Sequence, residues 1–355
     1  MIQPREHLQR HERLATEVSG RAGMLRLDLN ENPEGLPGDF LQRALAGITP
    51  ELLASYPNYA GLTQRIAAIE GLPEDHVLPA NGSDSAIRLV YEGYLDPGDE
   101  VVYPHPTFGM YAVYLGQYQA SGVAAPFPDD FAYPTRELTA AVTARTRLLA
   151  IVSPSSPTGS VIEADDMARL LDHAAALGVL TVVDEAYHPY WPQTVAPLVR
   201  SMDNLLVLRT FSKLYGLAGL RLGYVLGQPS ALRALRAVQP TFDVNALAAH
   251  VACRLLDEPQ TMSAMLESFH QGKRFLTERL SGAGLAFTPI RGNFTLIRLG
   301  ERAQDTALAL RERGVLVKSG FGHPLLRGHI RVSVGGQASM RRFWEAFTQC
   351  PLCLE

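Results

Sequence analysis

The chain has 355 residues, 46% hydrophobic and 19% charged, with a formal net charge of −4, a globular composition with room for about two domains and a sizeable core. Acids and bases are interspersed without a basic block, which argues against nucleic acid or an anionic membrane as a partner, and every apolar run is too short to span a bilayer. The charged N-terminus lacks a signal-type apolar stretch, and Cys253, Cys350 and Cys353 make no disulfide framework, so the expected compartment is the cytoplasm.

In chain order, residues 1–45 read as an irregular arm containing the turn Asn32-Pro33-Glu34-Gly35. A second turn, Tyr56-Pro57-Asn58-Tyr59-Ala60-Gly61, precedes a helical pattern over 62–70. Short apolar strands are then predicted at 76–79, 100–103, 147–152, 179–183 and 205–208, with helices over 86–95 and 165–177. Strands alternating with helices predict an α/β domain, a mostly parallel sheet covered on both faces. A helix from Ser230 stops at Pro240, and another, 246–256, restarts behind Asp243 and Asn245. The domain boundary is placed there: an arm over 1–45, a large domain over 46–242 and a smaller α+β domain over 243–355. In the last of these, 293–299, 315–317 and 329–334 read as strands. Alternation in 329–334 puts Ile330, Val332 and Val334 on the core face and turns Arg331 away from it. The terminal Cys-Pro-Leu-Cys is a lone pair without a partner motif and reads as incidental.

The chemistry gathers around Asn204–Gly227. A buried strand ends in Arg209-Thr210-Phe211-Ser212-Lys213, and Arg221 follows eight residues after Lys213, behind the glycine-rich GLAGL. A lysine at the mouth of a buried strand loses solvent and its amine pKa falls, which suits it to Schiff-base chemistry. Two hydroxyls and a guanidinium beside it suit a phosphate next to an aldehyde, although a lysine and an arginine on a solvated loop would look the same. In open α/β sheets the ligand lies beyond the carboxyl ends of the strands. The groups Ser83–Ser85, Phe108, Ser155–Ser156, Asp184, Tyr187, Thr210, Ser212 and Lys213 all follow such ends. Ser83-Asp84-Ser85 opens a helix whose first N–H groups can hold a phosphate; the Asp84 charge opposes this, so the backbone must do the binding. Asp184 ends a buried strand and needs a cationic partner, which either a protonated pyridine nitrogen or a structural ion pair would supply. Phe108 is placed either to stack on a flat ring or simply to pack. No dinucleotide fingerprint, P-loop, nucleophile elbow or ligand-spaced histidine cluster is present, and no metal is expected; His105 and His188 are the histidines near these groups.

Taken in order, YPNYAG, NGSDSAI, YPHPTFGMY, SPSSPTG, VVDEAY, TFSKLYGLAGLRLGY and IRVSVG resemble the fold-type I pyridoxal-phosphate enzymes, and within them the histidinol-phosphate aminotransferase group. The resemblance implies the aspartate aminotransferase-like fold and pyridoxal 5′-phosphate as cofactor. It implies that Lys213 carries the cofactor and moves the substrate proton, that Asp184 pairs with the pyridinium, that Tyr187 bonds the ring hydroxyl and that Phe108 stacks on the ring. Ser83, Asp84 and Ser85 would hold the phosphate with Ser212, Arg221 and Thr210. Tyr56 would reach the site of a partner subunit in a homodimer. Arg331 would grip the substrate carboxylate, with Asn32 and Lys318 near the substrate. The implied activity is transfer of an amino group between an L-amino acid or an amino alcohol phosphate, histidinol phosphate first, and a 2-oxo acid such as 2-oxoglutarate.

Three departures stand out. Ser156 replaces an asparagine that bonds the ring hydroxyl, Glu34 replaces an aromatic and is a poor neighbour for a phosphate-bearing substrate, and Lys318 replaces an arginine. Ser156 keeps an amino-acid decarboxylase or oxidase on the same scaffold as the alternative. A non-catalytic cofactor-binding sensor is disfavoured because Lys213 and Arg331 are intact.

Overall fold

The computed structural model describes residues 2–9 and 18–350; Cys353, half of the terminal cysteine pair, lies outside them. Eleven strands are described: β1 Leu25–Leu27, β2 Val77–Ala80, β3 Glu100–His105, β4 Ser121–Pro126, β5 Thr146–Val152, β6 Leu180–Asp184, β7 Leu205–Thr210, β8 Gly223–Gly227, β9 Phe294–Arg298, β10 Val315–Val317 and β11 His329–Ser333. Seven of them form one sheet in the order β2-β8-β7-β6-β5-β3-β4. Only β8 runs against its neighbours, antiparallel to both β2 and β7.

The apolar runs are continuous because both faces of this sheet are covered. In β7, Leu205 and Val207 enter one core layer and Leu206 and Leu208 the other. Helix Ala164–Ala176 supplies Met167, Leu170 and Leu171 to the first layer, and helix Gly82–Tyr94 supplies Ile87, Val90 and Tyr91 to the second.

Register then brings the polar strand ends to one edge. Val152 pairs with Asp184, Asp184 with Leu208, Thr210 with Gly223, and Gly223 with Ala80. Because β8 is reversed, its first residue stands beside the last residues of β7 and β2. Segments far apart in the chain thus deliver Asp184, Thr210 and the residues after Ala80 to the same place.

A separate core collects Phe269, Phe275, Leu276, Phe294, Ile297, Ile330, Val332, Phe343 and Phe347. It is covered by β9 and β11, which pair antiparallel, and by helices Pro259–Gly282 and Gln337–Thr348. An isolated bridge between Lys318 and Arg331 links the end of β10 to β11.

Two expectations are corrected, and one strand was not anticipated. The arm is not irregular throughout: β1 pairs in parallel with β10, Leu25 and Leu27 enter the second core, and residues Gly38–Ala46 form a helix. Leu25-Arg26-Leu27 alternates buried and exposed, but three residues are too short to mark a strand without their distant partner. The change of core also does not fall after residue 242. Helix Ala246–Leu256, capped by Asn245 accepting from Ala248 N as expected, buries Ala248, Val251, Ala252 and Leu255 in the first core. The following helix, Pro259–Gly282, buries Met265, Phe269, Phe275, Leu276 and Leu280 in the second core. Strand β4 is the one not anticipated: Ser121-Gly122-Val123-Ala124-Ala125-Pro126 is a mostly exposed edge strand of small residues without alternation, held by its pairing with β3.

Candidate active site

The loop after β7 is shaped by its own side chains. Thr210 Oγ1 accepts from Ser212 N at 3.1 Å and donates to Leu222 O at 3.4 Å, and the fully buried Phe211 plugs the first core. This turns Lys213 into the interior, where its Nζ donates to Leu29 O at 3.3 Å and sits 5.7 Å from the centre of the Tyr187 ring. Burial holds the amine below the ordinary lysine range, Tyr187 works against this, and Arg331 and Arg221 lower it further.

Asp184 is buried at the end of β6. Its Oδ2 accepts from Tyr111 Oη at 3.1 Å and its Oδ1 from Ala186 N at 3.0 Å. Burial pushes its carboxyl up to about 6 against these two hydrogen bonds. The expected cationic partner is not a side chain: Asp184 forms no salt bridge among the described residues. Tyr111 lies in YPHPTFGMY, but its distance from Asp184 in sequence hid the contact.

A cup forms where helix Gly82–Tyr94 begins. Arg221, itself left-handed at φ 54°, donates through Nη1 to Ser212 Oγ at 3.4 Å and to Ala218 O at 3.2 Å. Gly82 has φ 82°, and a Cβ there would stand 2.8 Å from Arg221 Nη2. A Cβ on Gly223 would stand 2.7 Å from both Ser83 N and Arg209 O. These two glycines let the helix start, Arg221 and the β7–β8 edge converge. The opposing charge of Asp84 is taken up sideways, its Oδ1 accepting from Tyr114 Oη at 3.0 Å. Ser85 turns its hydroxyl to Asp243, 3.5 Å away, which takes it out of the cup.

Across from Lys213, Arg331 Nη2 donates to Asp28 O at 2.8 Å and Nη1 to Ser156 Oγ at 3.3 Å, while Nε is buried without a partner. Burial holds this guanidinium below its ordinary pKa. Arg331 forms no salt bridge among the described residues. Tyr187 Oη accepts from Asn30 Nδ2 at 2.8 Å. Asn30 was not anticipated; the one hint was an asparagine in a turn-rich stretch, the residue type that tolerates its φ of 56°.

Several of the other expected residues are engaged in contacts of their own. Asn32, expected at the substrate, spends its side chain on Leu214 O (2.9 Å) and on Glu34 N (3.1 Å), tying the arm to the loop of Lys213. Glu34 does not face the substrate side: its Oε1 accepts from Gly336 N at 2.8 Å, at the start of helix Gln337–Thr348. Lys318 is exposed and meets Arg331 only through paired backbone hydrogen bonds of 2.7 and 3.0 Å. Phe108 is 40% exposed, and Tyr56, 79% exposed, stacks on Phe242 at 4.2 Å. His188 is structural: burial and Arg209 push it down to about 3, within a buried network of Arg209, Glu185 and Glu70. His105 packs edge-on to His323 at 4.8 Å.

A cavity of about 720 Å³ includes Phe131, Gly159, Arg298, Arg327 and His329 but not Lys213. Its lining carries neither an amine of lowered pKa nor an unpaired buried carboxylate, the features that mark a reactive site.

Residues 23–347 match the family model for class I and II aminotransferases. The chain belongs to this family. A histidinol-phosphate aminotransferase from Symbiobacterium thermophilum is 36% identical over 336 residues, which cover 92% of this chain and 90% of that one. Among solved structures, the histidinol-phosphate aminotransferase of Sinorhizobium meliloti in complex with pyridoxal-5′-phosphate superposes with a TM-score of 0.81 at 24% identity, covering 92% of this chain and 90% of that one. The histidinol-phosphate aminotransferase of Clostridium acetobutylicum gives 0.83 at 19% identity, covering 91% and 98%. At these identities the two structures establish the fold, which is the expected fold-type I architecture of the aminotransferase family.

Proposed function

We propose that this aminotransferase uses pyridoxal 5′-phosphate to exchange an amino group between an L-amino acid or an amino alcohol phosphate, histidinol phosphate first, and a 2-oxo acid such as 2-oxoglutarate. The observation that carries the reading is the pairing of Lys213, an interior amine of lowered pKa, with Asp184, a buried carboxylate that forms no salt bridge among the described residues. A pyridinium nitrogen would supply the missing charge, and the glycine-lined cup of Ser83 N, Ser212 and Arg221 fits a phosphate.

When bound, pyridoxal phosphate supplies a ring that accepts the electron pair left as the substrate α-hydrogen departs. The chain's own residues do the rest. Lys213 Nζ holds the group and shuttles the proton at the substrate α-carbon. Asp184 keeps the ring nitrogen charged, with Tyr111 orienting the carboxylate. Backbone N–H groups of Ser83 and Asp84, with Ser212 and Arg221, would hold the phosphate; Thr210 shapes that loop, and Phe108 would lie against the ring. Tyr187 donates to the ring oxygen. Arg331 presents a guanidinium fork to the substrate carboxylate, with Ser156 as its neutral neighbour. A homodimer accompanies this reading: the exposed Tyr56–Phe242 stack is an aromatic surface suited to a second copy.

The test is single-turnover absorbance of the loaded enzyme mixed separately with histidinol phosphate, glutamate, and aromatic and basic amino acids. Loss of the bound-cofactor band with a keto product from at least one donor is expected. Reaction only with another donor would discard histidinol phosphate and keep the aminotransferase. Release of CO2 or hydrogen peroxide in place of a keto product, or full turnover by Lys213→Ala, would overturn the reading.

A further inference from the structure

Asn30 lies in the arm, apart from every segment that carries the expected cofactor contacts, yet it is 2% exposed and built into the centre of the site. Its backbone is left-handed at φ 56°. Each of its polar groups is engaged. Asn30 N donates to Ser333 Oγ at 3.0 Å, and Ser333 Oγ donates to Asn30 Oδ1 at 3.3 Å. Asn293 Nδ2 donates to Asn30 O at 3.1 Å. With Oδ1 occupied by Ser333, the amide presents Nδ2 to Tyr187 Oη at 2.8 Å. The Tyr187 ring is held by Phe294 at 5.2 Å and by Gly292, where a Cβ would stand 3.0 Å from Tyr187 Cδ1. The phenol therefore cannot swing away from the amide.

A phenol has one proton. A donor already pointing at Tyr187 Oη fills its acceptor side and leaves the O–H free to be given elsewhere. A hydrogen bond received also strengthens the one donated, by polarising the oxygen. Across the site, Ser156 Oγ accepts from Arg331 Nη1, so the short side chain in place of an asparagine amide is engaged with the guanidinium.

We infer that Asn30 is a positioning residue for the reaction: it fixes the direction of the Tyr187 proton, so that Tyr187 donates to the ring oxygen of the bound cofactor. This makes an Asn30–Tyr187 pair do the work that Ser156 is too short to share. The inference rests on the cofactor reading above. The charged groups around the pair are Lys213, 5.7 Å from the Tyr187 ring centre, and Arg331; Tyr190 is the neighbouring phenol.

The readout is the pH midpoint of the absorbance change of the loaded enzyme without substrate. Donation to the ring oxygen favours its anionic form and so lowers that midpoint. Asn30→Gly keeps the left-handed backbone and removes the donor; Asn30→Asp keeps shape and backbone tolerance but accepts the phenol proton itself. We expect the midpoint to rise by about half to one pH unit in Asn30→Gly, the worth of one hydrogen bond, and further in Asn30→Asp. In a Tyr187→Phe background neither substitution moves it again. A midpoint unchanged in both variants, or shifted equally with and without the phenol, would overturn the assignment to Asn30 even where thermal stability falls. If the wild-type chain takes up no pyridoxal phosphate, the cofactor reading and this inference fall together; if it loads normally and only the midpoint fails to move, the inference falls alone.

Discussion

Arg331 Nη1 donates to Ser156 Oγ at 3.3 Å, joining β11 of the second core to the loop after β5. The guanidinium is buried, keeps Nε unpartnered and forms no salt bridge among the described residues. Burying a charge without a counter-ion is costly. An acidic ligand relieves that cost, and a planar fork reads a carboxylate better than a point charge does.

Arg331→Lys keeps the charge and loses the fork. We expect KM for the 2-oxo acid to rise by about ten- to a hundredfold, the worth of one or two charge-assisted hydrogen bonds, with little change in thermal stability. Steady-state kinetics with the oxo acid varied checks this.

Asp184 couples the site to pH. Its carboxyl is raised to about 6 by burial, from an ordinary value of about 4. Across that interval the folded chain holds the proton more tightly than the unfolded chain. This contribution to stability is therefore present at low pH and is lost as pH rises from about 4 through 6. For the cofactor-free protein we expect Asp184→Asn to remove about 2–3 kcal/mol of that decline. Urea denaturation of both proteins across the interval measures the difference, in which titrations common to the two cancel. Adding cofactor to the wild type should flatten the decline as well.

Gly82→Ala tests the cup. The new methyl meets a φ of 82° and stands 2.8 Å from Arg221 Nη2. The left-handed backbone alone costs about 1–2 kcal/mol, and Arg221 must shift to clear the Cβ. We expect cofactor affinity to fall at least about tenfold, the equivalent of roughly 1.4 kcal/mol, read by titrating the cofactor-free protein and following absorbance.

Glu34 tests the arm. Its carboxylate accepts from Gly336 N where helix Gln337–Thr348 begins, so it satisfies a free donor and complements the helix dipole. Glu34→Ala should cost about 0.5–1 kcal/mol and lower Tm by about 1–3 °C at this chain length. Glu34→Gln, which still accepts, should recover part of it. Differential scanning calorimetry distinguishes the three proteins.

Much of this protein is local in origin. The apolar runs of β5, β6 and β7 read as buried strands because each is apolar on both faces; Asp184, Ser212 and Lys213 stand out because they lie at the ends of such strands, and Arg221 because it follows the glycine-rich GLAGL. Alternation along β11 is likewise enough to turn Arg331 away from Ile330 and Val332. What the chain conceals is pairing across distance. The single reversed strand, β8, is what sets Gly223 beside Thr210 and Ala80 and so closes the cup. The three residues of β1 alternate too briefly to stand as a strand alone and form one because β10 completes their hydrogen bonds. Glu34, taken alone, is an unwelcome charge near the substrate, and only Gly336, 302 positions away, explains it. Asn30 meets Tyr187 over 157 positions and Ser333 over 303. Burial and periodicity are properties of neighbouring residues and are written in the sequence. The partner of a hydrogen bond is chosen by the register of sheets and the packing of cores, which exists only once the chain has folded.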